Sequence, residues 1–182
     1  MGRPKALLPI AGQTFIERIV AAFKQAGLDK IMVILGHDAE AMRQKIAHLP
    51  ATILVNADYK KGQLSSLQTA VRHLLRDATC SGVLVHLVDH PYIDTGLVKL
   101  LIRRFEDSGK PIAVPRFHGK RGHPIIFARS LFGELLNAPE HQGAKAVVNA
   151  HRNETLEIDT EEEGIILDID TPELYRQHVK GD

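Results

Sequence analysis

Short runs of branched apolar residues alternate along this chain with longer amphipathic stretches, and that alternation restricts it to an α/β domain built on a mostly parallel sheet. Thr14 with Glu17 three residues on forms a capping box, and Phe15, Ile19, Ala22 and Phe23 give the helix behind it one apolar face that Gly27 closes. Ile31-Met32-Val33-Ile34-Leu35, ending in Gly36, reads as a strand buried on both faces. A polar helix over 39–48, a strand over 52–55, a helix over 64–76, a strand over 82–88 and a helix over 95–106 continue the pattern. Residues 111–128, with strand candidates at 112–114 and 124–127, break it and predict an antiparallel excursion. Helical pieces near 130–136 and 144–150, strands over 155–158 and 165–167, and a last helix opened by Thr171-Pro172-Glu173 complete the chain.

The chain has no internal repeat, low-complexity tract or linker, and its 182 residues suit one domain. Hydrophobic residues make up 44% and charged residues 25%, a soluble globular balance that argues against disorder. The net charge of +1 offers no basic field for nucleic acid. No apolar run approaches the roughly 20 residues of a spanning helix, and Pro9 and Gly12 interrupt anything resembling a signal peptide. Cys80, the one cysteine, has no disulfide partner in the chain and reads as an incidental thiol. A cytoplasmic protein acting on neither membrane nor nucleic acid is expected.

Ligands of open α/β sheets bind beyond the carboxyl ends of the strands. The residues there are Gly36-His37, Asn56, Asp89-His90-Pro91 and Asp168-Ile169-Asp170. Asp89, at the mouth of an apolar strand, suits a hard cation such as Mg²⁺, which prefers one or two carboxylates plus substrate phosphates, or it caps the following turn. Asp168 and Asp170 flank Ile169, so an extended chain puts both carboxylates on one face. The same segment also reads as a helix start, with Asp170 or Thr171 as N-cap and Pro172 at N1. Gly2, Arg3, Pro4 and Lys5 form a turn of the kind that approaches a phosphate chain, and a solvated lysine near a chain end would look the same. In the 56–67 segment, Gly62 permits an unusual backbone angle, and Ser65 and Ser66 offer hydroxyls near a helix N-terminus. Gly119-Lys120-Arg121-Gly122-His123-Pro124 is either a charged hairpin or a grip on an anion. The histidines show no zinc spacing, and neither a Walker lysine motif nor Gly-x-Ser-x-Gly occurs.

Taken in order, these segments resemble the nucleotidyltransferases of the molybdenum-cofactor group, the MobA-like transferases that include molybdopterin cytidylyl- and guanylyltransferases. Members carry a leader of the kind Leu-Ala-Ala-Gly-x-Ser-x-Arg-Met-Gly-x-x-Lys-x-Leu-Leu-Pro, which this chain matches from the Met onward at Gly2, Lys5, Leu7, Leu8 and Pro9. Further matches are Asn56, Gly62-x-x-Ser65-Ser66-Leu67, Leu87-Val88-Asp89-His90-Pro91, Arg121-Gly122-His123-Pro124, Gln142-Gly143-Ala144-Lys145 and Asp168-Ile169-Asp170-Thr171-Pro172-Glu173.

The resemblance implies a single domain over 1–182 with a glycosyltransferase-A-like (Rossmann-like) fold, a mixed, mainly parallel sheet flanked by helices. It implies attack of an acceptor phosphate on the α-phosphorus of a nucleoside triphosphate, releasing pyrophosphate. Lys5 would stabilise triphosphate charge, and Asp89 and Asp170 would bind Mg²⁺. Gly2, Arg3, Asn56, Gly62, Ser65 and Ser66 would line the nucleotide, while Arg121, Gly122, His123 and Lys145 would face the acceptor. A molybdoenzyme or its chaperone is an implied partner. Pro4 and the Arg-Gly-His-Pro segment favour the cytidylyl branch and hence CTP.

Two departures accompany the match. The residues before the Met of the leader are missing, and with them the first, central strand and most of the phosphate loop, so the sheet would leave a gap or borrow a strand. Lys145 stands where relatives carry Arg, which keeps the charge and loses bidentate phosphate binding. Transfer to a sugar phosphate or another small acceptor, and a non-catalytic binding domain without its phosphate loop, are the alternatives.

Overall fold

The computed structural model describes residues 4–179. Its short first hairpin pairs β1 (Pro9–Ile10) with β2 (Gln13–Thr14) and leads into α1 (Phe15–Gln25). The predicted capping box is formed: the Thr14 hydroxyl accepts from the Glu17 amide, and the Glu17 carboxylate accepts from the Thr14 amide. Phe15, Ile19, Ala22 and Phe23 are all buried, as the period-3.6 pattern requires. Next come β3 (Met32–Leu35), α2 (Ala39–Ile46), β4 (Thr52–Val55), α3 (Gln63–Leu74), β5 (Gly82–Val85) and α4 (Thr95–Ser108). The second half comprises β6 (Ile112–Phe117), β7 (Lys120–Arg121), β8 (Ile125–Ala128), α5 (Phe132–Asn137), α6 (Lys145–Ala150), β9 (Thr155–Asp159) and α7 (Pro172–His178).

Strands β3 and β4 pair in parallel. A separate five-stranded sheet runs β5-β8-β6-β7, with β9 on the other side of β6. In it only β6 and β9 are parallel; β5 with β8, β8 with β6, and β6 with β7 are antiparallel. The excursion expected over 111–128 is therefore real. Helices α3, α5 and α6 cover one face of this sheet through Val71, Leu135 and Val147 against Val83, Ile112 and Phe127. Helix α4 covers the other through Leu97 and Leu101 against Ala113 and Ile126. The consecutive pair Ile126 and Phe127 thus serves opposite layers, the period-2 signature of a strand between two helical layers.

Three expectations are corrected. β3 is not buried on both faces: Met32, Val33 and Ile34 are half-buried and Leu35 is buried, because among the described residues no strand is hydrogen-bonded on the side away from β4. The apolar run over 82–88 pairs only as far as Val85, since β8 ends its register at Ile125 opposite Val85. Residues 165–167 form no strand. A 3₁₀ turn at Glu163–Ile165 replaces it, and the Ile165 carbonyl accepts from the His123 amide at 2.9 Å. Cys80 is half-buried, its thiol 3.2 Å from the Gly82 carbonyl. Among the described residues no helix is long and apolar enough to cross a membrane.

Candidate active site

Three elements far apart in sequence deliver charged groups to one point beyond β5. Lys5 sits in a 3₁₀ turn (Lys5–Leu7), Asp89 four residues past the end of β5, and Asp170 just before α7. The Lys5 ammonium forms an ion pair with Asp170 Oδ1 and lies 3.9 Å from Asp89 Oδ2. The Lys5 ammonium, with smaller contributions from Asp89 and Asp168, holds the Asp170 carboxyl below the usual carboxylate range. The backbone closes the same junction, because the Ile169 amide donates to the Asp89 carbonyl at 2.7 Å. Ile169 is fully buried beside Leu8, Ile10 and Phe15, while Asp168 and Asp170 are exposed, so the alternation read from the sequence holds in this irregular segment.

Neither aspartate is a cap. Thr171 caps α7 through the Leu174 amide at 3.2 Å, with Pro172 at N1. Asp94, not Asp89, caps α4 through the Leu97 amide at 2.6 Å. Asp89 Oδ1 is buried and finds no hydrogen-bond partner among the described residues. An uncompensated buried carboxylate oxygen is costly, and oxygen-only donors of this kind suit a hard divalent cation. The residues present fit such an ion.

Beside Asp89 lies a group of histidines of which the sequence pattern singles out only His90 and His123. His90 and His123 have ring centroids 5.2 Å apart, and His86 lies 6.3 Å and 6.4 Å from them. His86 Nε2 is 2.8 Å from the His90 carbonyl oxygen. A carbonyl only accepts, so Nε2 carries the proton and the buried Nδ1 presents a lone pair without a donor. Burial pushes the His86 pKa down to about 3, and burial with the neighbouring His90 pushes His123 down to about 4. The His86 and His123 rings are neutral at pH 7. A lone histidine inside the otherwise apolar 82–88 run was the available signal for His86.

The model of the MobA-like NTP transferase domain family matches residues 1–155. The chain belongs to this family. Among solved structures, Rv0371c from Mycobacterium tuberculosis H37Rv superposes with a TM-score of 0.86 at 28% identity, covering 99% of this chain and 90% of that one. The same protein in complex with manganese gives 0.83 at 27% identity, covering 98% and 92%. Nicotine blue oxidoreductase of Paenarthrobacter nicotinovorans is 29% identical, with 97% of this chain and 89% of that protein aligned. The bifunctional protein GlmU of Bdellovibrio bacteriovorus is 33% identical over 112 residues, 61% of this chain and only 23% of GlmU.

Within this MobA-like frame the other expected site residues fall into two groups. Gly2 and Arg3 lie outside the described residues. Asn56 and Ser65 are buried, and their polar groups are used internally. Asn56 Nδ2 donates to Ser65 Oγ at 2.7 Å and Ser66 Oγ at 3.0 Å, and Asn56 Oδ1 accepts from the Asp58 amide at 2.9 Å. Ser65 Oγ in turn donates to the Gly62 carbonyl at 2.7 Å. Gly62 holds φ at 93°, the left-handed region its lack of a Cβ permits. These residues shape the loop more than they present free groups, and Ser66 is the half-exposed member.

The Arg121 guanidinium pairs with Glu157, which Arg116 also holds, so it ties β7 to β9 across β6. Gly122 is buried for a packing reason: a Cβ there would sit 2.3 Å from the Ile165 carbonyl oxygen. His123 alone of that motif faces the Asp89 side, through His90. Lys145 opens the short helix α6 and is exposed.

Proposed function

We propose that this protein transfers a nucleoside monophosphate from a nucleoside triphosphate, CTP favoured, to a small phosphorylated acceptor such as molybdopterin. The observation that carries the reading is the meeting of Lys5, Asp89 and Asp170 beyond the end of β5. An acceptor phosphate oxygen bonds to the α-phosphorus as the bond from that phosphorus to the α,β-bridging oxygen breaks, and pyrophosphate leaves. No covalent enzyme intermediate is needed; positioning and charge neutralisation do the work. Lys5 supplies a mobile ammonium to the triphosphate. Asp89 and Asp170 would hold Mg²⁺, which would neutralise charge on the phosphates. The family's manganese-bound relative supports a divalent ion of some kind. The hydroxyl-lined loop at 62–66 faces the nucleotide, and the neutral His123, with Arg121, Gly122 and Lys145 nearby in sequence or fold, borders the acceptor side. Residues 1–182 then form one catalytic domain working in the cytoplasm.

Calorimetric titration with CTP, GTP, UTP and ATP, with and without Mg²⁺, tests this directly. Selective CTP binding that requires Mg²⁺ is expected, and Asp89→Ala should abolish both transfer and Mg²⁺-dependent binding while the thermal melt is retained. Mg²⁺-dependent transfer by Asp89→Ala would end the assignment of that residue. A second reading follows from nicotine blue oxidoreductase, which aligns over nearly the whole chain. Binding of NADH or NADPH in place of every triphosphate would favour an oxidoreductase.

A further inference from the structure

We propose that Lys5 is a built-in counter-cation: in the ligand-free protein its ammonium occupies the carboxylate site that a divalent ion needs, so the ion and the triphosphate enter as a coupled pair. The proposal rests on the reading of Asp89 and Asp170 as the cation site. Lys5 pairs with Asp170 Oδ1 and stands 3.9 Å from Asp89 Oδ2, so one ammonium addresses both carboxylates. The remaining Asp89 oxygen, Oδ1, is buried and has no hydrogen-bond donor among the described residues; His90 Nε2 approaches only to 3.9 Å. Among the described residues, Lys5 is thus the ammonium set against the Asp89 and Asp170 carboxylates.

A divalent ion arriving between Asp89 and Asp170 meets Lys5 as a like charge within contact range. Repulsion at such a distance is substantial in a partly solvated site, so the ion binds well only when the ammonium leaves. An anion draws Lys5 off most strongly, because an ammonium on a flexible stem can follow a cluster of charged oxygens out of its present pair. The triphosphate is that anion. Its arrival draws Lys5 away and frees Asp170 Oδ1, which raises the affinity for the ion. Linkage requires the ion to raise triphosphate affinity by the same factor.

The device also explains what an empty site does with its carboxylates. Lys5 ties the N-terminal turn to the segment before α7, across 165 residues of sequence. The Ile169 amide and the buried Ile169 side chain hold that segment at Asp89 independently. The junction therefore remains assembled when Lys5 swings off, and only the ammonium has to move.

The test measures Mn²⁺ binding to the full chain, without nucleotide, from the electron paramagnetic resonance signal of free Mn²⁺. The wild type is compared with Lys5→Met, Lys5→Arg, Asp89→Asn and Asp170→Asn, each checked by thermal melt. Removing the charge in Lys5→Met should tighten Mn²⁺ binding about tenfold, the scale of one displaced like charge in a partly solvated site. Lys5→Arg, which keeps the charge, should bind within about twofold of wild type on the same reasoning. Both asparagine variants should lose binding. If Lys5→Met binds Mn²⁺ no more tightly than wild type while Asp89→Asn loses it, Lys5 is no counter-cation and the cation site stands. If Mn²⁺ binding survives in both asparagine variants, the cation site itself is wrong and the proposal falls with it.

Discussion

Asp89 and Asp170 are available to the proposed cation site because other residues take the structural duties. Thr171 takes the capping position that the sequence left open between it and Asp170, and Asp94 caps α4. The segment 168–173 was legible as both a carboxylate pair and a helix start, and the structure divides the two tasks between adjacent residues. Gly122 was legible as a motif residue, but its reason was not. Nothing in sequence pairs position 122 with the Ile165 carbonyl, and only the packed turn at Glu163–Ile165 makes a Cβ impossible there. A Cβ 2.3 Å from a backbone oxygen forces the loop or the turn to shift. Gly122→Ala should therefore cost about 2 kcal/mol of stability in urea denaturation, within the range of small-to-large changes in packed sites. It should also weaken use of the acceptor, since it displaces His123. A variant as stable as wild type would remove the packing explanation.

At the scale of elements, the loop from β4 to α3 combines an internal hydrogen-bond network with the nucleotide-facing role proposed for it. Asn56, Gly62, Ser65 and Ser66 were found together because their types suit anion binding, and the structure does bring them together. Their polar groups mostly face one another: Asn56 bridges both serines and the Asp58 amide. Asn56→Ala would leave a buried hydroxyl and an amide with fewer partners, at about 1–3 kcal/mol. Thermal or urea unfolding should register that loss before any nucleotide is added, and nucleotide affinity should fall as a consequence of a loosened loop. An Asn56→Ala protein with wild-type stability and lost affinity would instead make Asn56 a direct ligand. Helix positions were the most legible elements, because amphipathic periodicity spans many residues: α1, α3 and α4 lie within a few residues of expectation. The end of β5 and the absent strand at 165–167 were not, because a branched apolar run records burial and not pairing, and Ile165 is buried in a turn.

At the scale of the molecule, the sheet is divided: among the described residues β3 and β4 pair only with each other, and β5 leads a separate sheet. The half-exposed apolar side chains of β3 and β5 face the consequence, and helices α1 and α4 bridge the two parts through one core of Ile19, Phe23, Leu35 and Val98. That same core reaches the histidine group, since the Phe23 ring packs edge-on to His86 at 5.7 Å. The cost of this arrangement appears with acid. His86 and His123 have folded-state pKa values of about 3 and about 4, both below the unfolded histidine value of about 6.5. Below pH 6.5 the unfolded chain takes up protons that the folded one refuses, so stability rises with pH across this window and falls as pH drops through it. The loss should begin near pH 6.5 and level off for each group only below its folded pKa. It should exceed that of an ordinary surface histidine, because two groups share the sign. Urea unfolding from pH 7.5 to 4 measures it, and His86→Gln isolates one share: the amide can still donate to the His90 carbonyl but takes up no proton. The variant should show a shallower pH dependence between 6.5 and 4, and an unchanged slope would mean that His86 is not held neutral by the fold.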